Sequence, residues 1–122
     1  MTGIKIITLG IAGFILLSSN ALADDRRNVE YMLPGCRFQA LNPPPVQDSE
    51  WTQALICRDA LESIVKNGPL QPVFLNSCVP ENIPPHRIAQ AVVEFLERDV
   101  NRLRERFDIR ATAALHSVWP CH

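Results

Sequence analysis

Asp48-Ser49-Glu50-Trp51-Thr52-Gln53-Ala54-Leu55-Ile56-Cys57-Arg58-Asp59-Ala60-Leu61-Glu62-Ser63-Ile64-Val65-Lys66-Asn67 decides the fold. Trp51, Ala54, Leu55, Cys57, Leu61, Ile64 and Val65 recur at steps of three and four, which predicts one apolar stripe along a helix. Asp48 or Ser49 suits the cap, and Glu50 sits near the positive helix start. Asn67-Gly68 and then Pro69 end the helix. Cys57 lies near the stripe, so its sulfur is expected to face a neighbouring element.

Downstream, residues 69–81 read as irregular, because Pro69, Pro72 and Pro80 interrupt regular structure. Val73-Phe74-Leu75 is apolar and is expected to tuck against the core, with Cys78 pinning the segment. A second long helix starts after Asn82, with Pro84 and Pro85 in its first turn, where missing amide hydrogens cost least. Ile88, Val92, Phe95 and Leu96 keep the helical period. Val100, Leu103, Phe107, Ala111, Ala114, Leu115 and Val118 carry it onward, with Asp99 either capping a new helix or lying inside a continuous one. Pro120 ends the pattern before Cys121.

Upstream, Asn28 to Leu33 suits a short helix stopped by Pro34-Gly35. Residues 40–48 form a loop, in which Pro43-Pro44-Pro45 favours an extended, stiff spacer. No segment alternates with the two-residue period of a strand. The expected fold class is all-α: a small disulfide-stabilised bundle of three to four helices.

Four cysteines stand at 36, 57, 78 and 121. An even count in a small exported domain implies two disulfides. No pair has the C-x-x-C spacing of a metal site. Three connectivities are open on spacing alone. Closing loops of this size contributes roughly 3–4 kcal/mol each on the loop-entropy model.

The export expectation comes from the N-terminus. Lys5 precedes the nearly all-apolar run Ile6–Leu17, and Ala21-Leu22-Ala23 supplies small residues before Asp24-Asp25. This is the order of a cleavable signal peptide over residues 1–23. A retained anchor needs about 20 apolar residues, and this run is shorter. Residues 24–122 then form a single domain.

Charge is near balance, with 12 Lys and Arg against 13 Asp and Glu. That composition carries no electrostatic footprint for nucleic acid or a membrane surface. Between Arg98 and Arg110, arginines alternate with acids as on a solvated helix face, with a partner surface as the second reading. His86, His116 and His122 lack a metal-binding spacing. A Cys–His nucleophile pair needs a free thiol, which an even count in an oxidising compartment disfavours. Glu94, Glu97 and Glu105 read as helix-surface charges rather than paired catalytic carboxylates. No catalytic, cofactor or metal residue is expected. Trp51 and Trp119 read as core or disulfide-packing residues, although tryptophan is also a common interface anchor.

A family pattern runs through these residues. Pro34-Gly35-Cys36-Arg37 precedes a helix with Cys57 and Asp59-Ala60-Leu61. Cys78-Val79-Pro80 then leads into Gln90-Ala91-Val92-Val93-Glu94-Phe95-Leu96-Glu97. Ala114-Leu115-His116-Ser117-Val118-Trp119-Pro120-Cys121 closes the chain. Over about residues 28–121 this resembles the Rap/Tai family of periplasmic immunity proteins, which protect bacteria from type VI secretion amidase effectors. Where that family usually has glycines around its second cysteine, this chain has Ala54-Leu55-Ile56 and Arg58-Asp59.

The resemblance implies a periplasmic protein that binds its cognate amidase effector and occludes the substrate cleft, without performing chemistry. It also implies a possible homodimer. The surfaces to inspect first are segments 40–48 and 69–77 and the exposed face of the arginine-rich helix; no single partner-binding residue is assigned. The favoured pairing is Cys36–Cys57 with Cys78–Cys121, which fastens each chain end. The alternative function is a periplasmic stress or chaperone-like protein, or another non-catalytic binding protein of the cell envelope.

Overall fold

A computed structural model of the chain describes residues 28–122. The expected leader over 1–23 lies outside the described residues. Four α-helices follow in order: α1 (Val29–Gln39), α2 (Asp48–Asn67), α3 (Pro85–Glu97) and α4 (Phe107–Val118). Short 3-10 turns, Gly68–Leu70 and Val100–Arg102, lie in the connections. Among the described residues there is no strand, only an isolated antiparallel bridge between Asn28 and Arg106. The fold is all-α, a small helical bundle cross-linked by two disulfides.

Pro34 does not stop α1, contrary to the sequence reading; it lies inside an 11-residue helix that runs to Gln39. The reason is tertiary. The first amides of a helix have no internal partner, yet here they find acceptors. The Val29 N–H donates to the Glu105 carbonyl at 3.0 Å and the Glu30 N–H to the Leu103 carbonyl at 2.9 Å. The Tyr31 N–H donates to Asn28 Oδ1 at 2.8 Å. Against these bonds, Pro34 removes one internal hydrogen bond, the one to the carbonyl of exposed Glu30.

Gly35 is not a turn residue either. It is buried within α1, and a Cβ placed on it would run into the Gln53 carbonyl oxygen of α2 and stand 3.0 Å from the carbonyl carbon. The missing side chain lets α1 and α2 approach closely. One residue on, Cys36 bonds Cys57 across the same two helices, with Cα atoms 5.1 Å apart. Both cysteines are fully buried.

The core forms where four stripes meet. Val29, Met32, Leu33 and Cys36 of α1 face Cys57 and Leu61 of α2. Ala89, Val92 and Leu96 of α3, with Phe107, Ala111, Ala114 and Leu115 of α4, complete it at helical spacing. The α2 stripe is narrower than its sequence suggests: Ala54, Cys57 and Leu61 are buried, while Leu55, Ile64 and Val65 are half-buried. Trp51, expected in the core, is 43% exposed. It lies in the first turn, N-terminal to the helix crossing at Gln53, and does not reach the interior. Trp119 does pack, half-buried, against the core. The cap of α2 is Gln47, without a side-chain hydrogen bond, in place of Asp48 or Ser49.

The arginine-rich stretch is mostly a connection, not a helix face. Asp99 breaks the period by accepting the Asn101 N–H at 3.2 Å and pairing with Arg102 at 2.8 Å. Val100, expected to continue the stripe, is consequently exposed. Arg106 grips Asp108 with bonds of 3.1 and 2.7 Å, placing a carboxylate at the positive start of α4. Arg110 differs from its neighbours. It is largely buried, its guanidinium carbon 4.8 Å from the Phe95 ring centroid and its Nε 3.6 Å from Glu105. Between α1 and α3, the Gln90 amide donates to the Ala40 carbonyl at 2.9 Å, and Arg37 pairs with Glu97 at 2.9 Å. Among the described residues no helix is long and apolar enough to cross a membrane.

Candidate functional site

The α2–α3 connection holds a feature that helix periodicity could not reveal. From Asn67 to Pro80 the chain has no ionisable side chain except the disulfide-bonded Cys78. Within it, Leu70 is 81% exposed, Val73 83% and Phe74 73%. The expectation that Val73-Phe74-Leu75 tucks against the core is therefore corrected: Leu75 is half-buried, while Val73 and Phe74 face water.

The loop's own hydrogen bonds explain this orientation. Gly68 begins a 3-10 turn, and its carbonyl accepts the Gln71 N–H at 3.2 Å and the Ser77 N–H at 3.1 Å. The two ends of the segment thus meet, as in a compact Ω-like loop. The Pro72 carbonyl accepts both the Leu75 and Asn76 N–H groups at 2.8 Å. Ser77, only 1% exposed, takes the inner position of the base. A Cβ on Gly68 would collide with Ser77 Oγ and lie 2.8 Å from the Ser77 carbonyl oxygen, so the base closes only around a glycine. With the interior position filled by serine, the large apolar residues of the tip point outward.

The loop is anchored to the C-terminal end of α4. His116 Nδ1 contacts the Asn76 carbonyl at 2.6 Å. A carbonyl can only accept, so Nδ1 carries the proton. Asn76 Oδ1 accepts the Cys121 N–H at 3.3 Å, and the Trp119 carbonyl accepts the Cys78 N–H at 2.8 Å. The Cys78–Cys121 disulfide, with Cα atoms 5.0 Å apart, closes the arrangement. The result is a neutral, apolar tip on a cross-linked base. Its chemistry suits contact with an apolar recess, because no charge must be stripped of water.

A groove of 560 Å³ adjoins the loop, with Leu61, Val65, Pro69 and Ile88 on its apolar lining and Arg58 and Glu81 among its charged residues. Pro69 belongs to both groove and loop. The other segments singled out from sequence differ in kind. In 40–48, Pro43, Pro44 and Val46 are exposed, but no disulfide ties that loop. The charges of 98–110 pair mainly with one another.

All four cysteines are bonded, in the two pairs Cys36–Cys57 and Cys78–Cys121. This covalent state is that of an oxidising, non-cytoplasmic compartment. Among the described residues no three His, Cys, Asp or Glu side chains gather as a metal site. Of the histidines, His116 alone is bonded to the loop. Sequence reasoning missed Leu70 as an exposed residue and Asn76 as the anchor. The uncharged run between Lys66 and Glu81 was the available signal. No family model, curated protein or solved structure matches the chain.

Proposed function

We propose that this chain is a periplasmic immunity protein of the Rap/Tai kind, exported by the leader over 1–23. It binds a peptidoglycan amidase toxin and occludes its substrate cleft with loop 68–77, performing no chemistry itself. The observation that supports this reading best is the exposure of Leu70, Val73 and Phe74 on a loop closed at Gly68 and Ser77 and cross-linked at Cys78. A contact loop already held in shape loses little conformational freedom on binding, so more of its contact energy remains as affinity. Phe74, the aromatic residue of the tip, is of the type enriched at interface cores, and Leu70 and Val73 add apolar area around it.

The test is direct. The purified chain is mixed with the peptidoglycan amidase it is proposed to neutralise, and peptidoglycan hydrolysis is followed. The reading expects stoichiometric inhibition by the unmodified chain and its loss in Phe74→Asp, with an unchanged helical signal. Full hydrolysis in the presence of excess unmodified chain would remove the immunity function.

A further inference from the structure

The two disulfides occupy opposite environments. Cys36 and Cys57 are both 0% exposed, sealed between α1 and α2. Cys78 is exposed and Cys121 is half-buried. Thiol–disulfide exchange requires a thiolate to reach a sulfur, so access separates the pairs. The inner bond staples the core, whereas the outer one fastens loop 68–77 to the tail Trp119–His122.

We infer that Cys78–Cys121 is a redox release for the apolar loop, one that a dithiol reductant opens while Cys36–Cys57 keeps the bundle folded. The inference rests on the reading of loop 68–77 as the contact surface. In the first step one thiolate of the reductant attacks Cys78 Sγ, forms a mixed disulfide and expels the Cys121 thiolate, which takes up a proton. The second thiol of the reductant then attacks the mixed disulfide, releasing Cys78 as a thiol. The reductant leaves as a disulfide, and the protein gains two electrons and two protons. After release, the hydrogen bonds that hold the loop are His116 of α4 to Asn76 and, from the tail, Cys121 to Asn76 and Trp119 to Cys78. Two of these run to Trp119 and Cys121, the segment that the disulfide itself holds in place.

The test uses the whole oxidised protein and dithiothreitol as the dithiol. Timed reduction is followed by alkylation and peptide mass mapping. Cys78 and Cys121 are expected to label about tenfold faster than Cys36 and Cys57, before any helical signal is lost. Equal labelling of all four, or loss of helicity in step with Cys78 labelling, overturns the inference. In the selectively reduced protein, amide exchange at Leu75, Asn76 and Cys78 is expected to rise about tenfold, with Val92 and Leu115 unchanged. Unchanged exchange at the loop overturns it too. The Cys78→Ser, Cys121→Ser double variant serves as an independent mimic of the reduced form and should show the same loosened loop. Against the proposed amidase partner, equal inhibition by oxidised and selectively reduced protein overturns the switch and leaves the immunity reading standing. No inhibition by the oxidised form overturns the immunity reading itself, and with it the switch.

Discussion

His116, near the end of α4, donates from Nδ1 to the carbonyl of Asn76 at 2.6 Å, so a helix and a distant loop share one short hydrogen bond. The same asparagine accepts the Cys121 N–H through its side chain. Asn76 is therefore the polar hub on which an otherwise apolar loop is mounted.

His116→Ala leaves the half-buried Asn76 carbonyl without its side-chain donor. The expected cost is about 1 kcal/mol, read as a lower urea midpoint at unchanged slope. Exchange at Leu75 and Asn76 should rise more than exchange at core amides. His116→Phe keeps the ring but not the donor and should lose the same amount. An unchanged midpoint in both variants would show that the bond contributes nothing.

Gly35→Ala separates propensity from packing. Helix propensity alone favours alanine by about 1 kcal/mol. The new Cβ, however, meets the backbone of Gln53, which cannot swing aside as a side chain can. Net destabilisation of about 1–3 kcal/mol is expected, because α1 and α2 must separate around a buried disulfide. Stabilisation on thermal melting would contradict the close crossing.

Phe74→Asp alters an exposed tip residue and should shift stability by no more than about 0.5 kcal/mol. Its binding effect should be far larger if the tip enters a recess. A loss of about 2 kcal/mol, roughly thirtyfold in Kd, is expected by calorimetry against the proposed amidase partner. Val46→Asp, on the other exposed loop, is the comparison and should leave affinity unchanged. The opposite order of effects would move the contact surface to residues 40–48.

Replacing both Cys36 and Cys57 by alanine removes the buried cross-link, whose partners are 21 positions apart. The loop-entropy model gives a loss of about 3 kcal/mol. The double variant should therefore melt well below the parent protein. Leu115→Ala, in the fully buried part of α4, should cost about 2–5 kcal/mol by leaving a cavity.

The sequence carried the helices better than their connections. α2, α3 and α4 were legible because Cys57 and Leu61, Val92 and Leu96, and Ala111 and Leu115 repeat at the spacing of a buried face. Pro34 misled because its cost, a lost hydrogen bond and a ring crowding the Glu30 carbonyl, is local, while the compensating Leu103 and Glu105 carbonyls come from about seventy residues further on. Local patterning cannot report such partners. The arginine-rich stretch misled for a related reason: alternating charges fit a helix face, but Asp99 uses its side chain to cap a short turn instead. In the candidate site, segment 69–77 was read from its prolines as irregular, yet its tip was assigned to the wrong side. Hydrophobicity says that Val73 and Phe74 gain by leaving water; it does not say that Gly68 and Ser77 have already closed the base beneath them.

The pairing of the Val29 and Glu30 amides with Glu105 and Leu103 makes the first helix depend on the last quarter of the chain. A nascent polypeptide that ends before residue 103 has no acceptors for these two amides and bears the full penalty of Pro34. Long-range dependence of this sort delays completion of α1 until residues 103–105 have been made. On the proposed export route through a narrow translocation channel, this delay would keep the chain extended for passage and reserve the collapse for the far side.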